Sequence, residues 1–120
     1  LLLDIKHTVE RAARASFNCC LLNLYHHGGE GMGWHSDDEK ELMVGGKIAS
    51  ISLGADRRFV FKHRRLPQEK ISVTLPHGSL LIMAGSTQQH WLHSLPKMMR
   101  IKQPRINLTF RQMRLPQPVS

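Results

Sequence analysis

Hydrophobic positions recur at helical spacing at the start of the chain. Ile5, Val9 and Ala12 or Ala13 fall on one face of such a helix, and charged side chains fall on another face. This pattern predicts a helix over residues 1–15.

The remainder of the chain is predicted to form short strands. Apolar runs and two-residue alternation predict strands over residues 17–25, 48–53, 58–63, 71–75, 79–83, 91–95 and 105–112. A run of glycines predicts a loop after the first strand: Gly28, Gly29, Gly31 and Gly33. Short strands at this spacing are typical of a β-sandwich or barrel. We therefore expect one mainly β domain with an N-terminal helix.

The last predicted strand has two different faces. Its apolar and polar residues alternate, with Ile106, Leu108 and Phe110 on one face and Arg105, Asn107, Thr109 and Arg111 on the other. If the polar face is exposed, the two arginines are ordinary surface charges. If it lines a closed sandwich, two buried cations need partners, because removing a charge from water is costly. A dicarboxylate could satisfy both through forked hydrogen bonds.

A second pair of polar residues occurs at the end of the first predicted strand. Asn23 and Tyr25 share one strand face just before the glycine loop. An amide and a phenol at this position could complete a carboxylate site. The alternative is a pair of polar residues at a strand end with no ligand.

One motif carries the residue types of a metal centre. His35 and Asp37 are two residues apart, so in an extended segment they project to the same side and can bind one ion. A third ligand must come from a distant strand, and His93 is the best candidate. Two histidines and one carboxylate on one face of an octahedron suit iron(II) in oxygenases, because the remaining positions stay open. With eight histidines in the chain, an accidental pattern remains the alternative.

The net charge changes the expected partners. The formal net charge is +8 and the isoelectric point is about 10.2. Proteins this basic commonly bind nucleic acid, although a solvated basic surface has the same composition. A cluster of basic residues could grip phosphates or could protect a sheet edge from pairing: Arg57, Arg58, Lys62, Arg64 and Arg65.

The cysteines and the apolar stretches bear on the compartment. Cys19 and Cys20 are adjacent, so on a strand they point to opposite faces and bridge poorly. This favours a reducing compartment. No apolar stretch is long enough to span a bilayer, and no signal peptide is visible. We therefore expect a cytoplasmic protein, or a nuclear one in a eukaryote, with no membrane partner.

Taken in order, these segments resemble the AlkB family of Fe(II)/2-oxoglutarate-dependent nucleic-acid demethylases. The resemblance covers roughly residues 17 to 113, and its most specific block is Pro104-Arg105-Ile106-Asn107-Leu108-Thr109-Phe110-Arg111 with His93 upstream. Further matching segments are Phe17-Asn18, Asn23-Leu24-Tyr25, Trp34-His35-Ser36-Asp37-Asp38-Glu39, and residues 48–55, 58–63, 77–83 and 90–96.

The resemblance implies a fold and a set of functional residues. The fold is a double-stranded β-helix, a jelly roll of two sheets. The implied iron ligands are His35, Asp37 and His93. The implied 2-oxoglutarate contacts are Asn23, Tyr25, Arg105, Asn107 and Arg111, with Arg111 near the iron and Arg105 at the distal carboxylate. Asp38 and Glu39 match positions that face the target base. A carboxylate there would favour the positively charged N1-methyladenine and N3-methylcytosine, whereas the alternative for both residues is a solvated acidic turn.

The resemblance also implies a reaction. Fe(II), 2-oxoglutarate and O2 together would demethylate N-alkylated bases in DNA or RNA, and the products would be succinate, carbon dioxide and formaldehyde. Two alternatives stay open: an Fe(II)/2-oxoglutarate hydroxylase of a protein or small molecule, and a non-enzymatic basic β-barrel that binds nucleic acid. We expect residues 1–120 to form a single catalytic-core domain, present as a monomer and missing the upstream lid over the nucleotide.

Overall fold

The computed structural model describes residues 1–36 and 46–114, and in these ranges the chain forms two helices and eight strands. The helices are α1 (Leu2–Ala13) and α2 (Gly85–His90). The strands are β1 (Cys19–Tyr25), β2 (Met32–His35), β3 (Ile48–Gly54), β4 (Arg57–His63), β5 (Lys70–Leu75), β6 (Leu80–Met83), β7 (Trp91–Leu95) and β8 (Arg105–Arg111).

The strands form two antiparallel four-stranded sheets. The strand order is β1-β8-β3-β6 in the first sheet and β2-β7-β4-β5 in the second. Chain neighbours such as β3 and β4 lie in different sheets, which is the connectivity of a jelly roll. The expectation of a mainly β, two-sheet fold with an N-terminal helix is confirmed.

The main apolar core lies between α1 and the first sheet. Val9 and Ala13 of the helix pack with the following Phe17 against Leu108 and Phe110 of β8. The amide of Phe17 donates a 2.7 Å hydrogen bond to the carboxylate of Glu10. This contact ties the segment before β1 to the helix, and the strand begins at Cys19 and not at the expected residue 17.

The polar face of β8 points away from this core. Leu108 and Phe110 are buried under α1, while Arg105 and Asn107 are buried on the opposite side of the same strand. The first sheet is thus covered on its outer face by a helix and faces the second sheet with polar side chains. The interior between the sheets is consequently available for a polar ligand.

Two elements differ from the sequence prediction. Met32–His35 forms a strand where glycines predicted a loop, because antiparallel pairing with β7 outweighs the low strand preference of glycine. Helix α2 was not predicted, since six residues give too short a window for helical periodicity to be visible.

No helix in residues 1–36 and 46–114 is both long and apolar enough to cross a bilayer.

Candidate active site

A cavity of about 220 Å³ lies between the two sheets. Its wall contains all of the predicted site residues that the structure describes: Asn23, Tyr25, His35, His93, Arg105, Asn107 and Arg111. Residues of several strands, distant in sequence, therefore converge on one space.

Two of the predicted metal ligands are neighbours on adjacent strands. His35 of β2 pairs in register with His93 of β7, and their ring centroids are 4.2 Å apart in an edge-to-face arrangement. His93 is 3% exposed, so its ring is held in place by packing. Two imidazoles at this separation can donate to a single ion.

Hydrogen bonding fixes the tautomer of His35 when its ring is neutral. Nδ1 of His35 lies 2.9 Å from the carbonyl oxygen of Gly33. A carbonyl oxygen can only accept, so Nδ1 carries the proton and Nε2 keeps its lone pair. A backbone carbonyl that orients an imidazole in this way is typical of histidines that bind metal.

A β-bulge aims His35 into the cavity. Met32 pairs with Leu95 and His35 with His93, so three steps along β2 match two steps along β7. Side chains three residues apart normally point to opposite faces of a strand. Met32 and His35 nevertheless line the same cavity, because the bulge takes up the extra residue.

The third predicted ligand and the predicted base contacts lie outside the described residues. Asp37, Asp38 and Glu39 fall in the range 37–45. Within residues 1–36 and 46–114, no group of three or more His, Cys, Asp or Glu side chains is placed to hold a metal ion. The described part of the site therefore contributes two imidazoles.

Arg105 is a buried cation without a carboxylate partner among the described residues. It is 2% exposed, and Nη2 donates a 2.8 Å hydrogen bond to Oγ of Ser52. Its guanidinium also lies over the ring of Tyr25, with Cζ 5.6 Å from the centroid. Burial lowers the pKa of Arg105 from its usual value. An anion in the cavity would supply the missing countercharge.

Asn107 and its neighbours continue this polar wall. Nδ2 of Asn107 donates a 2.5 Å hydrogen bond to Oγ of Ser50, and the hydroxyl of Thr109 donates a 2.5 Å hydrogen bond to Oδ1 of Asn107. Asn23 of β1 is the register partner of Asn107 across the β1–β8 ladder. Arg111 lies on the same face, farther along β8.

Two guanidinium groups lie close to the ring of Tyr25. The Cζ atoms of Arg57 and Arg105 are 5.8 Å and 5.6 Å from its ring centroid, within cation–π range. Burial raises the pKa of Tyr25, and the two positive charges oppose this rise only in part. The phenol is therefore protonated at neutral pH and can donate to a carboxylate.

The prediction of an exposed basic cluster was wrong for Arg57, which is buried. It is 1% exposed, and its guanidinium donates to the backbone carbonyls of His27, Glu30 and Pro96. It therefore holds together the connections before β2 and after β7 and does not face solvent. Burial lowers its pKa. The sequence contained a signal for this position, because Arg57 shares strand parity with the inward-facing Phe59.

Ser50 and Ser52 were missed by sequence reasoning. Both are buried in β3, where they accept hydrogen bonds from Asn107 and Arg105. Their two-residue spacing placed them on one strand face, but small polar residues on a strand carry little chemical signal. Pairing with β8 is what gives them their role.

The described donors fit the groups that the resemblance implies. The two imidazoles suit iron(II) once a carboxylate joins them. A buried guanidinium with no carboxylate partner in the described residues suits one end of a dicarboxylate such as 2-oxoglutarate.

Known proteins share this arrangement of segments. A family model described as the 2OG-Fe(II) oxygenase superfamily matches residues 1–111. The human protein named DNA oxidative demethylase ALKBH2 is 43% identical in an alignment 118 residues long that covers 92% of this chain and 45% of that protein. The bovine alpha-ketoglutarate-dependent dioxygenase alkB homolog 3 is 42% identical in an alignment 119 residues long that covers 92% of this chain and 42% of that protein.

The fold has a counterpart among solved structures. The structure of OsALKBH1 superposes with a TM-score of 0.63 at 22% identity, covering 92% of this chain and 59% of that chain. This match shows a shared fold.

These matches confirm the resemblance to AlkB-type proteins and bear on its cofactors. The chain spans less than half of the length of the human and bovine relatives, at 45% and 42%. The description of the matching family names iron(II) and 2-oxoglutarate, the metal and the cosubstrate that the sequence predicted. With its two-sheet fold and a family match over residues 1–111, this chain belongs to the 2OG-Fe(II) oxygenase superfamily.

Proposed function

We propose that this chain is the catalytic core of an oxidative demethylase acting on N-alkylated bases in DNA or RNA. The observation that carries the proposal is the cavity between the sheets, where an imidazole pair on the second sheet faces the first sheet, which carries a buried guanidinium with no carboxylate partner among the described residues. The names of the relatives support the substrate class, since human and bovine ALKBH2 are both DNA oxidative demethylases. N1-methyladenine and N3-methylcytosine are the expected lesions.

The proposed metal ligands are His35, Asp37 and His93. Nε2 of His35 is directed by the Nδ1 hydrogen bond to Gly33, and packing fixes the ring of His93. With iron(II), 2-oxoglutarate and O2 bound, the site would couple oxidative decarboxylation of the cosubstrate to hydroxylation of the N-methyl group. The hydroxymethyl product would then release formaldehyde and leave the unmodified base.

The proposed cosubstrate contacts are Asn23, Tyr25, Arg105, Asn107 and Arg111. Arg105 would pair with the distal carboxylate, and the protonated phenol of Tyr25 would donate to the same group. Arg111 would pair with the carboxylate nearer the metal. The hydrogen-bonded serines of β3 keep Arg105 and Asn107 oriented before the ligand arrives, which lowers the entropy lost on binding.

Asp38 and Glu39 are proposed to face the target base. A carboxylate near the base stabilises a cationic ring more than a neutral one. The proposal therefore includes a preference for bases that alkylation has made positive. A flipped or single-stranded base would be required for access.

The deciding experiment is mass spectrometry of a methylated single-stranded oligonucleotide after incubation with iron(II), 2-oxoglutarate and oxygen. Loss of the mass of one methylene, together with equimolar succinate, is the expected result. The His93→Ala variant should produce neither, and the exposed-residue variant Arg11→Gln should behave as the unmodified chain. Succinate formation with a peptide or small molecule, and none with methylated oligonucleotide, would favour the alternative hydroxylase.

The non-enzymatic alternative predicts a different outcome. A basic β-barrel would bind oligonucleotide equally well without iron and would never turn over 2-oxoglutarate. We further propose that residues 1–120 act as one catalytic-core domain, in monomeric form, in the cytoplasm or in the nucleus of a eukaryote. Sedimentation of the purified chain tests the monomer.

A further inference from the structure

A groove of about 680 Å³ crosses the outer face of the second sheet, and it shares only Met32 and Leu95 with the lining of the cavity. Side chains of β2, β4, β5 and β7 line it, together with the residues that follow β7. Strand alternation explains the placement of Arg58 and Lys70, which have the opposite parity to the inward-facing residues of their strands, and Trp34 directly precedes the inward-facing His35. The proposed chemistry on the inner face does not use this surface.

The groove is basic and contains an exposed aromatic ring. Arg58, Lys70 and Lys97 line it and are exposed, and no carboxylate among the described residues lines it. Trp34 is 40% exposed, and the ammonium groups of Lys62 and Lys70 lie 4.3 Å and 6.0 Å from its ring centroid. These cation–π contacts hold the ammonium of Lys70, a lining residue of the groove, and that of Lys62, which lies outside the lining, against the indole.

We propose that this groove binds the phosphodiester backbone of a single-stranded nucleic acid outside the catalytic cavity. The proposal deepens the proposed function by adding a second contact surface for the same substrate, and rests on it for the identity of the partner. Exposed cations in a groove that no described carboxylate lines favour a polyanion, and an exposed indole favours one that carries aromatic bases.

The dimensions suit several nucleotides. Arg58 and Lys62 are four residues apart on β4, which corresponds to about 13 Å at roughly 3.3 Å per residue. A stacked strand carries one phosphate per about 3.4 Å of its axis. The cations on this face could therefore contact about four successive phosphates.

The groove is also close to the cavity. Trp34 precedes His35 on β2, and the two side chains point to opposite faces of the sheet. Because β2 is an edge strand of that sheet, one strand alone separates the groove from the proposed metal ligand. A nucleic-acid strand held in the groove would keep neighbouring bases near the cavity.

The test compares two double variants that each lose two positive charges. Arg58→Gln with Lys70→Gln alters the groove, and Lys6→Gln with Arg11→Gln alters α1 on the other side of the molecule. Binding of an unmodified, fluorescently labelled single-stranded oligonucleotide is measured by anisotropy at several salt concentrations.

Each phosphate contact contributes a slope of about −0.7 in log affinity against log salt, or roughly a factor of four at 0.15 M. The groove variant should bind about 15-fold more weakly, with a salt slope smaller by about 1.4, and the α1 variant should match the unmodified chain.

Other outcomes would overturn the proposal. Equal weakening in both variants would mean that net charge alone drives binding. A polyglutamate peptide that binds the unmodified chain as tightly as the oligonucleotide would show a general polyanion surface. Succinate formation without nucleic acid is followed in parallel, because neither pair of substitutions touches the cavity. If the groove variant binds as tightly as the unmodified chain but demethylation is observed, only the groove proposal is overturned. If demethylation is absent but the groove substitutions weaken binding as expected, only the demethylase proposal is overturned.

Discussion

The proton on Nδ1 of His35 and the charge on Arg105 define what the cavity can bind. Nδ1 of His35 donates its proton to the carbonyl of Gly33, so that the imidazole presents Nε2 to the cavity. The guanidinium of Arg105 is positioned by its hydrogen bond to Ser52 and its contact with the ring of Tyr25. Both side chains are oriented before a ligand arrives.

Replacing Arg105 tests the buried cation. Arg105→Gln should raise the KM for 2-oxoglutarate by about 10- to 100-fold, because hydrogen bonds to charged groups contribute about 1.5–3 kcal/mol. The free energy of unfolding of the ligand-free protein should stay the same or rise, because a desolvated charge is removed. Steady-state succinate assays and chemical denaturation measure the two quantities. An unchanged KM would remove Arg105 from the cosubstrate site.

The titration of Tyr25 has a direct optical readout. The chain has a single tyrosine, so phenolate absorbance reports Tyr25 alone. Burial raises its pKa, and phenolate should therefore appear at higher pH in the native than in the denatured protein, where the pKa is about 10. The stabilising contribution is complete below about pH 10 and is lost as pH rises through the higher, folded-state pKa. The Tyr25→Phe variant should lack this alkaline loss and bind 2-oxoglutarate about tenfold more weakly, through loss of one hydrogen bond to a carboxylate.

Alternation along strands made most of the described cavity residues predictable. The parity of the last strand predicted a shared face for Arg105, Asn107 and Arg111, and all three line the cavity. The predicted strand began at residue 58, one residue after the observed start of β4, so the same reasoning was not applied to Arg57, which stayed grouped with its exposed neighbour Arg58. Parity with Phe59 could have marked Arg57 as inward-facing, but its role became clear only from the carbonyls that it binds.

At the scale of elements, β8 serves two purposes with its two faces. Val9→Ala in α1 should lower the free energy of unfolding by about 2 kcal/mol, because it removes buried methyl groups against Phe110. The KM for 2-oxoglutarate should stay within twofold. Asn107→Ala, on the other face, should raise this KM about fivefold through loss of one hydrogen bond. If Val9→Ala changed the KM as strongly as Asn107→Ala, the two faces of the strand would not be independent.

The sequence predicted the boundaries of helices and strands less accurately than it predicted which residues share a strand face. Pairing between distant strands created β2 from a glycine-containing stretch, and pairing is invisible to local pattern. The bulge in β2 has the same origin. The sequence of residues 32–35 alone predicts neither the length of β2 nor that Met32 and His35 both face the cavity.

For the molecule as a whole, ligand binding and folding should be linked. Iron(II) at about 100 times its Kd should add about 2.7 kcal/mol to the free energy of unfolding, which for a domain of this size raises the Tm by about 10 °C. Anaerobic thermal melting measures the shift, and a chelator should reverse it. The His93→Ala variant should show little or no shift. A shift of equal size in that variant would place the metal elsewhere.

The continuous pairing of β8 also constrains how such a chain can change over time. All seven of its residues pair with β1 on one side and with β3 on the other. A slip of one residue would turn the guanidinium groups under the helix and the phenyl ring of Phe110 into the cavity. Insertions and deletions here would therefore remove stability and cosubstrate binding together. Divergence in this strand is expected to proceed by substitution, while changes in length accumulate in the connections on either side.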